Sequence, residues 1–309
     1  MRVGVWGAGS IGTGLIYRLA TTWFTSELHW INRSYAKIEL RVVDLEQGLG
    51  FAPTCCEVDA HRQEDVGRVL PRLDLIILTL GEAVPPGGKR EDVYAKNRDL
   101  FRSAVLPALR GFPGIVLIVT NPLDLMSRLV FRETGIDERR VLGLGTVVET
   151  ARLRASLGSY LSPRRPAREV WAYAVGTHDE SFVPLTPGDF GMGTLTDDRE
   201  RKEILKRARR EVVRAAARVK GDHRSTLHPI VEGTLQIAEA VAGDRQAILT
   251  PSVLDRASED SLFYSVPCSI GREGVGERHL DALREPGIHA DLEVCKQRLR
   301  DSLRAAGDL

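Results

Sequence analysis

Arg2–Gly12, RVGVWGAGSIG, decides the fold. A short apolar run, Val3–Trp6, breaks at Gly7 and continues as G-x-G-x-x-G through Gly9 and Gly12. The apolar stretch Gly14–Ala20 then reads as a helix. Glycines suit a tight turn there, close approach of backbone to a pyrophosphate, and packing of helix on strand. The helix N-terminus adds unpaired N–H groups and a positive dipole. Gly7, Gly9, Ser10, Ile11 and Gly12 are therefore candidate cofactor-binding residues. The motif alone is weak, and a glycine turn without a ligand is the competing explanation; its setting between strand and helix strengthens it.

The second strand of such a unit should end about 20 residues later, on the residue that reads the adenosine ribose. ELHWIN (27–32) falls there and ends on Asn32, followed by Arg33 and Ser34. An acid would bind the ribose 2′-hydroxyl and repel a 2′-phosphate. An amide, a guanidinium and a hydroxyl can pair with phosphate. Asn32, Arg33 and Ser34 thus favour NADP(H), with NAD(H) possible if Arg33 is only a solvated loop residue.

Further along, LDLIILTLG (73–81) and IVLIVT (115–120) are near-continuous apolar runs, as in strands buried on both faces of a parallel sheet. Thr79, Leu80 and Gly81 at the end of the first, and Val119 and Asn121 at the end of the second, are further cofactor candidates. Between them, EAVPPGGKRED (82–92) has the prolines, glycines and charges of a lid, with Lys89 and Arg90 as the cations it can deliver. Helices are expected over 36–47, before Leu73, and over 92–110 and 124–134, with FAPTCC as a loop and a short strand over 140–144. Strands alternating with helices imply a doubly wound, Rossmann-type α/β sheet. A change of texture after residue 145 divides the chain into a dinucleotide-binding domain, 1–145, and an α+β substrate domain, 146–309.

The second half centres on GLGTVVETARLR (143–154), where Glu149 and Arg152 stand three residues apart behind a glycine turn. On a helix, i and i+3 share a face, so acid and base can enter one cleft; a surface ion pair is the ordinary alternative. EVWAYAVGTH (169–178) reads as a strand ending in His178, where a structural histidine is again the ordinary alternative. Arg199–Lys220 is an amphipathic helix with the stripe Ile204, Leu205, Ala208, Val212, Ala216 and Val219, its arginines forming a solvated face. Ser225–Ala242 reads as a helix whose start brings Thr226, His228 and Ile230 near the cleft. Strands over 247–253 and 261–269 and a helix over 291–306 complete the chain.

Composition bounds the function. The 309 residues are 43% hydrophobic and 28% charged with net charge +1, which gives no bulk reason to invoke nucleic acid or an anionic membrane. Four cysteines make no disulfide framework, no apolar run approaches a membrane span, and Met1 leads straight into a strand. The expectation is a cytoplasmic protein acting on small molecules. No metal-ligand spacing is present.

Taken together, GAGSIG (7–12), TLG with KRED (79–92), TNPLD (120–124), GTVVETARLR (145–154), GTHDES (176–181) and SVPCSIGREG (265–274) resemble the lactate/malate dehydrogenase family over essentially the whole length. The resemblance implies interconversion of a 2-oxo acid and an L-2-hydroxy acid by a nicotinamide enzyme, assembled as a homodimer or homotetramer. It implies that His178 is the proton donor and acceptor, that Arg152 grips the substrate carboxylate, and that Arg90 polarises the carbonyl. Asn121 falls beside nicotinamide and substrate, and Ile230 packs on the nicotinamide ring. Three positions depart from the family. Glu149 replaces the usual aspartate that orients the histidine, and calls for a compensating backbone shift. Val84 replaces the lid amide or arginine that distinguishes lactate from malate enzymes. It disfavours malate and favours an apolar or larger 2-oxo acid, whereas His228, Glu82 and Glu180 could serve a polar or amine-bearing one. Asn32 to Ser34 replace the acidic ribose reader. An ordinary NAD-dependent malate or lactate dehydrogenase remains the alternative enzyme, and a non-catalytic cofactor-binding or sensing protein the alternative of another class.

Overall fold

In a computed structural model that describes residues 1–82, 90–161, 163–186, 198–223 and 226–309, the first half of the chain alternates strand and helix. The elements are β1 (Arg2–Trp6), α1 (Ser10–Ala20), β2 (Glu27–Asn32), α2 (Glu39–Leu49), β3 (Glu57–Arg62), a short α3 (Val66–Val69) and β4 (Leu75–Leu78). They continue as α4 (Arg90–Leu100), α5 (Leu106–Leu109), β5 (Ile115–Ile118), α6 (Leu123–Thr134) and β6 (Val141–Gly143). A five-residue π-helical segment, Phe101–Val105, joins α4 to α5, so the expected single helix over 92–110 is interrupted. The second half holds α7 (Val147–Tyr160), β7 (Tyr173–Val175), β8 (Val183–Leu185), α8 (Asp198–His223) and α9 (His228–Ala242). It ends with β9 (Ala247–Leu249), β10 (Ser252–Leu254), β11 (Phe263–Ser265), β12 (Cys268–Gly271), β13 (Gly274–Arg278) and α10 (Pro286–Ala305).

Six strands pair in parallel in the order β3-β2-β1-β4-β5-β6, and β10 and β11 extend the same sheet antiparallel beyond β6. The order reverses between β1 and β4, and a sheet of this kind binds ligands in the crevice at that switch point, outside the carboxyl ends of its strands. The wholly buried runs LIIL of β4 and IVLI of β5 occupy the middle, as continuous apolar sequence demands. One large apolar core spans the sheet and its helices. A second, smaller one joins Leu153 and Leu157 of α7 to Val170, Phe182 and, on α8, Ala208 and Val212. The side chains of Ala216 and Val219, the rest of the expected stripe, lie outside the described residues.

Three sequence expectations need correction, and one strand had no apolar run to mark it. β3, EVDAHR, fully buries only Val58; it is the edge strand, whose outward positions need no apolar residues. The strand expected over 169–178 shrinks to Tyr173–Val175 behind a 3-10 turn at Ala167–Glu169. The runs at 247–253 and 261–269 each split into two strands, β9 and β10 or β11 and β12, which enter different sheets. Finally, α10 begins at Pro286, five residues early, because proline is well tolerated in a first helical turn.

Candidate active site

The nucleotide loop is built by exclusion. Gly7 has φ +131°, and a Cβ there would lie 2.5 Å from Thr79 Oγ1 and 2.8 Å from Leu80 N, so β1 can meet the end of β4 only through glycine. A Cβ on Gly12 would lie 2.2 Å from Gly7 O, whereas one on Gly9 would meet nothing within 4 Å. Two glycines therefore serve the protein's own packing, and the third leaves open space at the N-terminus of α1, a cradle suited to a pyrophosphate. Trp30 fixes the loop from below, its indole Nε1 donating to Gly7 O at 2.9 Å. Ser10 is exposed and Ile11 half-buried beside it.

At the end of β2, the Asn32 amide donates to Ser34 O at 2.9 Å and shapes the turn, while Arg33 and Ser34 are exposed. A second cation stands by: Arg41 Nη1 donates to Thr13 Oγ1, in the first turns of α1, at 3.0 Å. No acid occupies the position that ends β2. These residues fit the adenosine end of a nicotinamide dinucleotide.

Across the crevice, Thr79, Leu80 and Gly81 follow β4, and Val119 and Asn121 follow β5. Thr120 Oγ1 donates to Leu80 O at 2.6 Å, and the buried Asn97 side chain ties both segments together. Its amide nitrogen donates to Glu82 O at 3.0 Å and Asn121 O at 2.6 Å, and its oxygen accepts from Glu82 N at 2.7 Å. Asn97 was not singled out in the sequence, because its burial and its backbone partners appear only in the fold.

α7 delivers the acid and the base. Gly145 precedes it with φ +61°, and a Cβ there would lie 2.4 Å from Ser252 N and 2.5 Å from Ser265 Oγ. Thr146 N donates to Ser265 Oγ at 2.9 Å, locking the turn to β11. One turn on, the buried Glu149 reaches His178, with Oε2 2.9 Å from His178 Nδ1. Its other oxygen, Oε1, lies 3.4 Å from Arg152 Nη1. Arg152 Nη2 also donates to Thr226 Oγ1 at 3.1 Å. The extra methylene of Glu149 is thus taken up with the histidine–acid contact at ordinary length. Burial pushes the Glu149 carboxyl up, but His178 and then Arg152 outweigh it, so its pKa falls below the ordinary value and it stays ionised.

His178 is anchored from its backbone as well. Its N–H donates to Asp124 Oδ2 at 3.2 Å, and Ser252 Oγ donates to Asp124 Oδ1 at 2.6 Å. Asp124 is buried in the first turn of α6, and burial raises its carboxyl to about 6 against the ordinary 3.8, although Ser252 and His178 oppose the rise. Asp124, the last residue of TNPLD, was given no role of its own in the sequence reading, because its partners His178 and Ser252 lie 54 and 128 residues further along the chain. After His178, Asp179 Oδ1 accepts from Ser181 N at 2.7 Å and Thr177 Oγ1 at 3.0 Å, so Asp179 shapes the turn.

The start of α9 closes the third side. A Cβ on Gly14 of α1 would touch Leu227 and Val231 at 3.1 Å, and one on Gly233 would meet Val147 at 3.3 Å. α9 therefore packs between the nucleotide-loop helix and α7, carrying half-buried Ile230 and exposed His228, with buried Thr226 two residues before its start. Of the polar candidates for substrate recognition, Glu82 pairs with Lys96 Nζ at 3.0 Å on the surface and Glu180 is exposed. Val84 and Lys89 lie outside the described residues; Arg90 opens α4, its side chain outside the described set. Among the described residues, no helix is long and apolar enough to cross a membrane.

Residues 1–143 match the family model described as lactate/malate dehydrogenase, NAD binding domain. Over 285 residues the chain is 30% identical to L-lactate dehydrogenase 2 of Bacillus cereus, covering 89% of each chain. It is 31% identical to an L-lactate dehydrogenase of a Geobacillus species, covering 89% of this chain and 88% of that one. The solved structure of the minor L-lactate dehydrogenase of Enterococcus mundtii, in a ligands-bound form, is similar with a TM-score of 0.87 and 26% identity, covering 98% of both chains.

Proposed function

This chain belongs to the lactate/malate dehydrogenase family, and from that premise we propose that it interconverts 2-oxo and L-2-hydroxy acids with NADP(H) preferred over NAD(H). The observation that carries the reading is the Glu149 carboxylate held between His178 Nδ1 and Arg152 in one cleft. No packing requirement calls for a buried acid, an imidazole and a guanidinium together at the crevice of a nucleotide-binding sheet. That argues against a merely cofactor-binding module.

When bound, the nicotinamide supplies the hydride to the carbonyl carbon, or takes it up in the reverse direction. Gly7, Gly9, Ser10, Ile11 and Gly12 would hold its pyrophosphate, and Asn32, Arg33 and Ser34 its adenosine end. Thr79, Leu80, Gly81, Val119 and Asn121 would line the path to the nicotinamide, with Ile230 against the ring. With Nδ1 committed to Glu149, His178 exchanges the proton on Nε2 with the substrate oxygen. The carboxylate of Glu149 favours the imidazolium and keeps its ring oriented. Arg152 has five N–H donors, and its bonds to Glu149 and Thr226 leave donors for a bidentate grip on the substrate carboxylate. Arg90, by resemblance, stabilises developing oxyanion charge. Val84, also by resemblance, disfavours a second carboxylate on the substrate.

The exposed Arg33 and the nearby Arg41, with no acid ending β2, support the 2′-phosphate preference. The test is binding of NADPH and NADH to the wild type and Arg33→Ala, followed by a panel of 2-oxo acids from pyruvate and oxaloacetate to branched, aromatic and amine-bearing side chains. Arg33→Ala should weaken NADPH about tenfold or more while leaving NADH within about twofold. Equal effects on both cofactors would remove the 2′-phosphate assignment and leave an NAD-dependent enzyme. We further propose a division into a dinucleotide-binding part, 1–145, and a substrate part, 146–309, and assembly as a homodimer or homotetramer.

A further inference from the structure

We propose that His29, Asp59 and His61 form a binding site for a divalent transition-metal ion of the zinc(II) class, stitching β3 to β2 at the outer edge of the nucleotide-binding sheet. The two strands pair in parallel with Glu27 opposite Glu57, His29 opposite Asp59 and Ile31 opposite His61. Alternate residues share a face of a sheet, so Glu27 and His29 stand on the same face as Asp59 and His61. Linear spacing hides the set, because the two histidines are brought together only by strand register.

The geometry is close to that of a ligand shell. His29 Nδ1 lies 2.9 Å from His61 Nε2 and 3.7 Å from Asp59 Oδ2, and the three ligand atoms all fall within 4.8 Å of one another. A tetrahedral ion bound at about 2.0–2.1 Å holds its ligand atoms about 3.3 Å apart, so small side-chain adjustments suffice. Two nitrogens and one oxygen are a zinc-type donor set, and the 61% exposure of the Asp59 side chain leaves a route for the ion and for a fourth, water ligand.

The surroundings prepare the histidines for that role. His29 is fully buried, and its Nε2 makes no hydrogen bond, lying 3.5 Å from Glu27 Oε2. A carboxylate on that side favours the Nε2–H tautomer and leaves the Nδ1 lone pair on the cluster, the usual outer support of a ligating histidine. Arg72, which would repel a cation, is paired with Glu27 Oε2 at 3.0 Å rather than with Asp59. In the metal-free chain one imidazole donates N–H···N to the other. That bond accounts for the histidine pair but not for the carboxylate placed against it. On binding, the donating histidine moves its proton to its other ring nitrogen, and two lone pairs meet the ion.

The test uses the full chain, stripped with a chelator and titrated with cobalt(II) as a spectroscopic probe, then with zinc(II). One cobalt per chain with the visible bands of a tetrahedral site is expected. Zinc should displace it and raise the melting temperature by about 2 °C or more. His61→Ala should abolish the bands or weaken binding at least about tenfold, with His228→Ala unchanged. Because His29 is buried, the half-exposed His61 and the exposed Asp59, as Asp59→Asn, are the variants that keep the fold intact. Absence of stoichiometric binding, or cobalt binding in His61→Ala and Asp59→Asn as tight as in the wild type, would overturn the site.

Discussion

Glu149 divides one carboxylate between two partners, His178 on Oε2 and Arg152 on Oε1. An aspartate reaches one methylene less far and would have to give up one of them or move α7. The charge itself is testable at constant shape. Glu149→Gln removes the anion that favours imidazolium while retaining an oxygen for Nδ1–H, and should lower kcat by about 10²–10⁴ with little change in cofactor binding. Unchanged kcat would make Glu149 a packing residue. Asp124 invites a different measurement. Its carboxyl stands at about 6 in the folded chain against 3.8 ordinarily, so the folded state binds this proton more tightly than the unfolded state does. The folded state is therefore penalised progressively as pH rises from about 4 through about 6, in full above that, by about 3 kcal/mol. In Asp124→Asn the amide can still accept from His178 N while Ser252 turns acceptor, and the penalty is gone. The melting temperature of the variant relative to wild type should rise between pH 4 and pH 7; a difference flat across that window would mean that Asp124 does not carry its proton in the fold. His178 and Arg152 were legible in the sequence as parts of motifs, and Thr226 from its place at the start of an expected helix. Asp124 and Asn97 were not, because each acts through backbone groups that only the tertiary fold brings within reach.

Among the elements, long apolar runs and glycine motifs were the legible part. β1, β4, β5, α1 and α7 lie where apolar periodicity and the glycine turns put them. What escaped were short or polar elements whose state is decided by neighbours. β3 is a strand because β2 offers it a pairing edge, and β9 and β10 separate because Thr250 and Pro251 turn the chain from one sheet into another. The turn before α7 illustrates how tightly such junctions constrain sequence. Gly145 has positive φ, and a side chain would collide with the backbone of Ser252 and Pro251. Gly145→Ala should destabilise the protein by about 1–3 kcal/mol from backbone strain, with more from the collision, and should lower turnover by displacing Glu149. Thermal unfolding and kcat measured together check this. Wild-type stability and rate would show that the turn relaxes without moving α7.

At the scale of the whole molecule, one crevice gathers three otherwise independent parts: the nucleotide loop after β1, the acid–base pair of α7 and His178, and the start of α9. The parallel sheet supplies the first, the second apolar core fixes α7 against α8, and α9 packs between α1 and α7. Their convergence, rather than any one motif, supports a 2-hydroxy acid dehydrogenase in which His178 moves the proton. The most direct test is turnover of the best 2-oxo acid by wild type and His178→Ala, with cofactor affinity measured on the same samples. The account predicts that the wild type reduces at least one 2-oxo acid and that His178→Ala loses about 10³-fold or more in kcat while its cofactor affinity stays within about twofold. Undiminished turnover in His178→Ala, or a wild type that binds cofactor tightly yet reduces no 2-oxo acid, would contradict it.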